Sequence, residues 1–271
     1  MTKSFICLGA QKAGTKWLAD MIFQHPDTFQ PGVKELHFFD NLKNPSLVTN
    51  DSTFIKLSNY RRRLLRNRLK KSKINFETAI AEKIINTGTF HISDYMRIIH
   101  YDFEAGRMGV DITPAYGAMP LINIQFMHNA MRSTKFIYII RDPLERSISG
   151  FRHSTGRALR KGYKLNEQLI IDQAVYKSKY SVHVNNYDKV FKDSNNLLYL
   201  SFKDLKNQPL KFLQKVENFL GLAPFKNYNA FDQPSHETQK LPVDSSTLDK
   251  FKRELDNEYE FLKNRFGPDF L

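Results

Sequence analysis

Short apolar runs punctuate this chain, and each ends at a residue suited to a sharp turn or to an anion. Phe5-Ile6-Cys7-Leu8 runs into Gly9, Gly109-Val110-Asp111-Ile112 into Thr113-Pro114, and Phe136-Ile137-Tyr138-Ile139-Ile140 into Arg141. Leu197-Leu198-Tyr199-Leu200 is a fourth run. Continuous rather than alternating apolarity predicts strands buried on both faces, as in a parallel sheet. Helical spacing lies between the runs: Trp17, Leu18, Met21 and Ile22 after Gly14, then a segment after Pro120 to about 131. Pro143 opens a further helix to about Phe151, since proline is tolerated in a first turn. Residues 185–190 end another helix, and Pro209 begins one that stops at Gly221, the residue type favoured past a helix end. A last helix covers about 246–264, and residues 41–105 show the least regular pattern. Strands alternating with helices predict an α/β fold: a P-loop-like three-layer arrangement with a central parallel β-sheet flanked by helices. Ligands of such folds bind beyond the carboxyl ends of the strands. With neither a repeat nor a Gly/Ser-rich or Pro-rich linker, residues 1–271 read as one domain, with 41–105 as a variable insertion and a candidate for the acceptor side.

Composition narrows the partners. The 271 residues carry 41 Lys and Arg against 28 acids, a formal charge of +13. Such a surface concentrates polyanions without choosing among nucleic acid, anionic membrane and phosphorylated or sulfated ligands. The single cysteine, Cys7, excludes an intramolecular disulfide framework and a multi-cysteine zinc site. No apolar run approaches the ~20 residues of a spanning helix, and the N-terminus enters the first strand pattern at once, so the expectation is a soluble, cytoplasmic protein.

The chemistry concentrates in two of the turns. Gly9-Ala10-Gln11-Lys12-Ala13-Gly14-Thr15-Lys16 joins the first strand to the first helix, where unpaired backbone N–H groups attract an anion and glycine permits close approach. The two glycines match the start of a nucleoside-triphosphate loop, but the order Gly14-Thr15-Lys16 misplaces the lysine and the metal-binding hydroxyl. The strand ending in Ile140 leads to Arg141, where a phosphotransfer enzyme would often carry a metal-holding aspartate. A guanidinium offers a fork of donors to phosphate and cannot hold Mg²⁺. Together the two turns predict a site for an anionic nucleotide without metal. The plainer alternative is a glycine turn and an arginine bonded to a neighbouring carboxylate.

At this point the chain resembles the sulfotransferases that use 3′-phosphoadenosine 5′-phosphosulfate (PAPS). Lys12-Ala13-Gly14-Thr15-Lys16-Trp17 is similar to their 5′-phosphosulfate loop, K-x-G-T-x-W, and Arg141-Asp142-Pro143-Leu144-Glu145-Arg146-Ser147-Ile148-Ser149 to their 3′-phosphate motif, R-x-P-x-x-R-x-x-S. Lys34-Glu35-Leu36-His37-Phe38-Phe39-Asp40 and Thr113-Pro114-Ala115-Tyr116 resemble the K-E-x-H-F-F-D and T-P-x-Y segments of the heparan-type, carbohydrate-modifying branch. The resemblance implies that Lys12, Ala13, Gly14, Thr15 and Lys16 bind the donor's 5′ end, that Trp17 occupies the position that stacks on adenine in the small-molecule branch, that Arg141 and Ser149 grip the 3′-phosphate, and that no metal takes part. Lys240 falls where relatives place a nucleotide-capping loop. Lys12 would stabilise charge growing on the bridging oxygen. Glu35 would be the general base, with His37 and Asp40 orienting it or touching the acceptor. The alternatives are a solvated carboxylate at Glu35, a packing histidine at His37 and a surface lysine at Lys240. Two departures stand out: Ile112 replaces the lysine that often precedes T-P-x-Y, and one cysteine cannot close a disulfide loop.

The implied acceptor is a hydroxyl, with an amine as second choice, of a carbohydrate or glycolipid. Residues 61–73, with eight basic residues in thirteen, could form a basic amphipathic helix on Leu64, Leu65 and Leu69 that meets a glycan, a membrane surface or only solvent. Nucleic acid is disfavoured, since neither a basic–aromatic RNA-binding signature nor zinc-finger spacing is present. A P-loop nucleotide kinase and a non-catalytic polyanion-binding module are the competing classes. The sequence leaves oligomeric state open.

Overall fold

The first apolar run lies at the centre of the sheet. The structure is a computed structural model describing residues 4–31, 35–43, 45, 53–59, 62–63, 75–101, 105–233 and 241–271. Five strands, β1 (Ser4–Gly9), β2 (Thr28–Phe29), β5 (Met108–Ile112), β6 (Thr134–Ile140) and β7 (Leu197–Ser201), form one sheet in the order β2-β5-β1-β6-β7. Every pairing is parallel: Ile6 lies opposite Asp111 on one side and Phe136 on the other, and Tyr138 opposite Tyr199. All of β1 is buried, which accounts for its unbroken apolar sequence; burial also pushes the Cys7 thiol up to about 12.

Helices α1 (Thr15–Ile22), α4 (Leu121–Ala130), α5 (Pro143–Arg160), α7 (Tyr180–Phe191), α8 (Phe202–Asn207), α9 (Pro209–Leu220) and α10 (Ser245–Phe266) surround this sheet. Leu18, Phe126, Tyr187 and Phe212 join the strand residues in the main core, while Phe151, Ile171, Val175, Phe251 and Leu255 form a smaller core between α5, α6 (Glu167–Tyr176) and α10. α5 runs nine residues past the expected end at Phe151, into a segment whose polar sequence carries no helical signal. Its start follows the rule at work in the sequence, with Pro143 in the first turn and the Asp142 carboxylate accepting from the Glu145 N–H at 2.8 Å. α6 has no counterpart in the sequence reading.

The expectation of little regular structure across 41–105 needs correction. Its described residues hold an antiparallel pair, β3 (Phe54–Lys56) and β4 (Thr89–His91), and two helices, α2 (Asn75–Thr87) and α3 (Ile92–Ile99). Ile80, Ala81 and Ile84, then Ile92, Tyr95, Ile98 and Ile99, are the buried stripes. Lys83 ties α2 to α3 through the buried Asp94 carboxylate, with 2.9 Å contacts to both oxygens. Of the basic run 61–73, Arg62 and Arg63 are described; Arg62 donates to the Ile85 carbonyl at 2.9 Å and so closes the end of α2. The rest of that run, with Leu64, Leu65 and Leu69, lies outside the described residues, as do Lys34 and Lys240. No helix among the described residues is long and apolar enough to cross a membrane.

Candidate active site

Loops leaving the carboxyl ends of β1, β5, β6 and β7 gather beside the centre of the sheet, where the strand order reverses direction around β1. The first of them, residues 10–14, turns into α1. Gly14 sits there at φ +81°, and a Cβ at this position would lie 2.8 Å from Leu205 Cδ1 and 3.0 Å from the Phe202 ring. A side chain is therefore excluded by backbone conformation and by the α8 residues pressed against the loop. Gly14→Ala is expected to lower stability by roughly 2–5 kcal/mol, the sum of a left-handed L-residue and local overpacking. Urea unfolding with a midpoint unchanged from wild type would contradict this packing. Gly9, at φ +144°, faces the Pro114 carbonyl in the same manner, at 2.8 Å.

No side chain caps the start of α1, so its first N–H groups remain open to an anion. Lys12 and Arg141 meet at this point: Arg141 Nη1 donates to the Lys12 carbonyl at 2.9 Å across 129 residues of sequence. The guanidinium lies over the Phe202 ring, 4.7 Å from its centroid, and its remaining edge takes Glu145 Oε2 at 2.9 Å. The neighbouring carboxylate of the plainer alternative is thus one of the partners of Arg141. Glu145 is more than half exposed, so the pairing is weak and gives way to a stronger anion at little cost.

Two cations and a histidine that the sequence analysis did not single out lie in the electrostatic surroundings of this pair. Arg146, 1% exposed, donates to Ser178 Oγ at 2.5 Å, the Ala174 carbonyl at 2.7 Å and the Gln11 carbonyl at 3.4 Å. Lys177 Nζ donates to Gln11 Oε1 at 2.9 Å. Burial and then the charges of Arg141 and Arg146 hold the Lys12 ammonium below its ordinary pKa; burial and Arg146 do the same to Lys177. His153 is lowered by burial first, then by Lys12, Arg157, Arg160 and Lys177. Cations that depress one another, with no carboxylate paired to Lys12 among the described residues, make the surroundings of Lys12 electropositive. The signal for Arg146 was present in the sequence as the second arginine of Arg141-Asp142-Pro143-Leu144-Glu145-Arg146, whereas Lys177 and His153 carry none.

The other predicted donor residues divide. Ala13 and Thr15 are buried in the loop and first turn, and Ser149 is buried on α5 one turn past Arg146. Lys16 turns along α1 to Asp20 Oδ2 at 2.5 Å, so its side chain has an intramolecular partner. Trp17 is 5% exposed, its ring edge-to-face with Phe212 and its N–H donating to the Phe231 carbonyl at 3.0 Å. That environment is a core position.

Glu35, His37 and Asp40 come together. His37 Nδ1 donates to Asp40 Oδ2 at 2.8 Å, and His37 Nε2 lies 3.6 Å from Glu35 Oε2. Phe38 and Phe39 are fully buried against Tyr95 and Tyr116, as core anchors for this turn. The Phe38 N–H donates to Tyr116 Oη at 3.0 Å, and the Asn123 side-chain amide holds the Phe39 and Leu42 carbonyls. Tyr116 thereby links the acidic turn to the Thr113-Pro114 loop that packs on Gly9. Asp111, unflagged by the sequence reading, supports that loop by accepting from Tyr95 Oη at 2.9 Å and Thr113 Oγ1 at 2.6 Å; its burial raises its carboxyl pKa.

Backbone strain marks the same residues. Among the described residues, the non-glycine positions with positive φ are Lys12 (69°), Glu35 (57°), His37 (54°) and Ala230 (55°). Left-handed conformations cost an L-residue about 1–2 kcal/mol and collect where side-chain placement is under a functional constraint. No group of three or more His, Cys, Asp or Glu able to hold a metal ion occurs among the described residues.

Comparison with known proteins bears on the family and the fold. A family model described as "Sulfotransferase domain" matches residues 2–265. A crystal structure of a sulfotransferase from Alicyclobacillus acidocaldarius superposes with a TM-score of 0.64 at 18% identity, covering 99% of this chain and 97% of that one. The sulfotransferase domain from the curacin biosynthetic pathway gives 0.58 at 17%, over 95% and 98% of the two chains. That of the Synechococcus PCC 7002 olefin synthase gives 0.55 at 17%, over 92% and 86%. At these identities the structural likeness establishes the fold, and the family match extends over nearly the whole chain.

Proposed function

The chain belongs to the sulfotransferase family, whose members draw on PAPS, and from that premise we propose that it transfers the sulfuryl group to a hydroxyl of a carbohydrate or glycolipid with Glu35 as general base. An amine is the second acceptor class. The observation that supports the donor site is the convergence of Lys12 and Arg141, each just past the end of its own strand, in a cationic group whose acid, Glu145, is a largely exposed partner of Arg141. The open amides of α1 and Lys12 receive the 5′ end of the donor, and Arg141 with Ser149 receives its 3′-phosphate. Arg146 and Lys177, both bonded to Gln11, fix the loop on which Lys12 sits.

The donor supplies an activated sulfuryl group; the chain supplies position and charge. The acceptor oxygen forms a bond to sulfur as the bond from sulfur to the bridging oxygen breaks, and the electron pair leaves on 3′-phosphoadenosine 5′-phosphate (PAP). Lys12 stabilises the charge that grows on the leaving oxygen. Glu35 takes the acceptor proton. Because Asp40 fixes His37 Nδ1–H, Nε2 is aimed at Glu35 and shares that proton.

PAP is expected to raise the unfolding temperature with EDTA present, and Arg141→Ala to reduce that shift. A shift that requires Mg²⁺ would favour a nucleotide kinase. Transfer of radiolabelled sulfate across a panel of sugar acceptors tests the acceptor class, and labelling confined to non-carbohydrate acceptors would overturn that part of the reading.

A further inference from the structure

A second surface, on the connection between α5 and α6, has the makings of a lipid contact. Residues 161–169 are exposed without a break, as are Leu159 and Arg160 before them. Four large apolar side chains project there: Leu159 is 54% exposed, Tyr163 58%, Leu165 39% and Leu169 51%. Arg157, Arg160, Lys161 and Lys164 alternate with them, against one acid, Glu167. The turn is held by its own backbone, with the Tyr163 N–H donating to the Ala158 carbonyl at 3.0 Å, and Asn166 caps α6 by accepting from the Leu169 N–H at 3.1 Å. Lys161 Nζ lies 5.6 Å from the Tyr163 ring centroid, so charge and aromatic face are presented side by side.

We propose that this α5–α6 turn seats on an anionic lipid surface, with Leu159, Tyr163, Leu165 and Leu169 entering the headgroup boundary and Arg160, Lys161 and Lys164 meeting lipid phosphates. Exposed apolar side chains interleaved with cations are the pattern of interfacial segments, in which tyrosine sits at headgroup depth. The charge argues against a second copy of this chain, because a self-contact would press the same cations together on a molecule of net charge +13. It also favours a fluid surface over a folded acidic partner: projecting tips separated by cations find phosphates in any register, whereas a folded partner requires matching pockets. The turn lies at the far end of α5, the helix that carries Arg146 and Ser149 in its first turns. The proposal concerns the surface alone and holds whichever acceptor is sulfated.

Flotation with vesicles of phosphatidylglycerol in phosphatidylcholine, against phosphatidylcholine alone, tests it on the full chain. The expected result is apparent binding at least about tenfold stronger to the anionic vesicles, weakening with salt. Two double variants are each expected to reduce it about tenfold: Tyr163→Ser with Leu165→Ser, and Lys161→Glu with Lys164→Glu. Circular dichroism and PAP binding verify that both remain folded, and their turnover on a water-soluble acceptor should match wild type. Absence of binding to anionic vesicles overturns the proposal. Binding unaffected by both variants also overturns it and places the contact elsewhere, as on residues 61–73. Loss on charge reversal alone, with equal capture by soluble polyglutamate, replaces it with an acidic macromolecular partner.

Discussion

Lys12→Ala is expected to cut turnover about a thousandfold while weakening PAP binding only about tenfold. The disparity follows from what the substitution leaves behind. Arg141 holds the Lys12 backbone carbonyl, which alanine retains, and the amides at the start of α1 are untouched. The ammonium itself is removed, and loss of one preorganised donor to a developing oxyanion typically costs 10²–10³ in rate. A full charge in a half-buried site belongs at the upper end of that range. The pH profile offers a second readout. Burial, Arg141 and Arg146 lower the Lys12 pKa, so the protonated form is lost at lower pH than for an ordinary lysine. The alkaline limb of kcat/KM should then fall below pH ~10.4, the model-peptide lysine value, and move upward in Lys12→Arg. Single-turnover transfer of labelled sulfate beside a PAP titration would separate chemistry from affinity; turnover within threefold of wild type would remove Lys12 from the mechanism.

Glu35→Gln should reduce turnover by a factor on the order of 10²–10⁴ with PAP affinity nearly unchanged. The amide is close to isosteric but cannot accept a proton at neutral pH. Glu35 belongs to the turn held by Tyr116, whereas the cations that would bind the donor stand on other loops, so the two functions should come apart in the measurement. His37→Gln is the informative partner. If His37 Nε2 shares the proton, its loss should be smaller than that of Glu35→Gln, and the double variant should be no worse than Glu35→Gln alone. Equal losses in PAP affinity and turnover would mean that Glu35 shapes the nucleotide pocket instead.

The strands and their exit residues were legible because a buried parallel strand needs continuous apolar sequence, and an anion-binding turn needs glycine or arginine directly after it. Gly9, Gly14 and Arg141 therefore stood out without structural information. The meeting of Lys12 with Arg141 was not legible from pattern alone, because it depends on β1 pairing with β6. Lys177 and His153 were invisible for the same reason: Lys177 follows the end of α6 and His153 lies along α5, positions where a polar side chain usually means a solvated face. The 75–99 region hid its helices differently. Its buried stripes are short, and α3 follows β4 without a break, so two periodicities are superposed over few residues. Trp17 and Lys16 show the converse limit, since motif position suggested ligand contacts while packing on Phe212 and pairing with Asp20 occupied the side chains.

The central place of the amino-terminal strand has a consequence for synthesis. Its two neighbours, β5 and β6, are encoded about a hundred and more residues downstream. At ~5–20 residues per second, a ribosome exposes Ser4–Gly9 for several seconds or longer before either neighbour exists. During that interval a strand whose Phe5–Leu8 stretch is apolar has no native hydrogen-bonding partner, and it is a segment that chaperones would protect. Productive nascent chains should therefore become protease-resistant abruptly, once β6 has left the ribosome, rather than strand by strand.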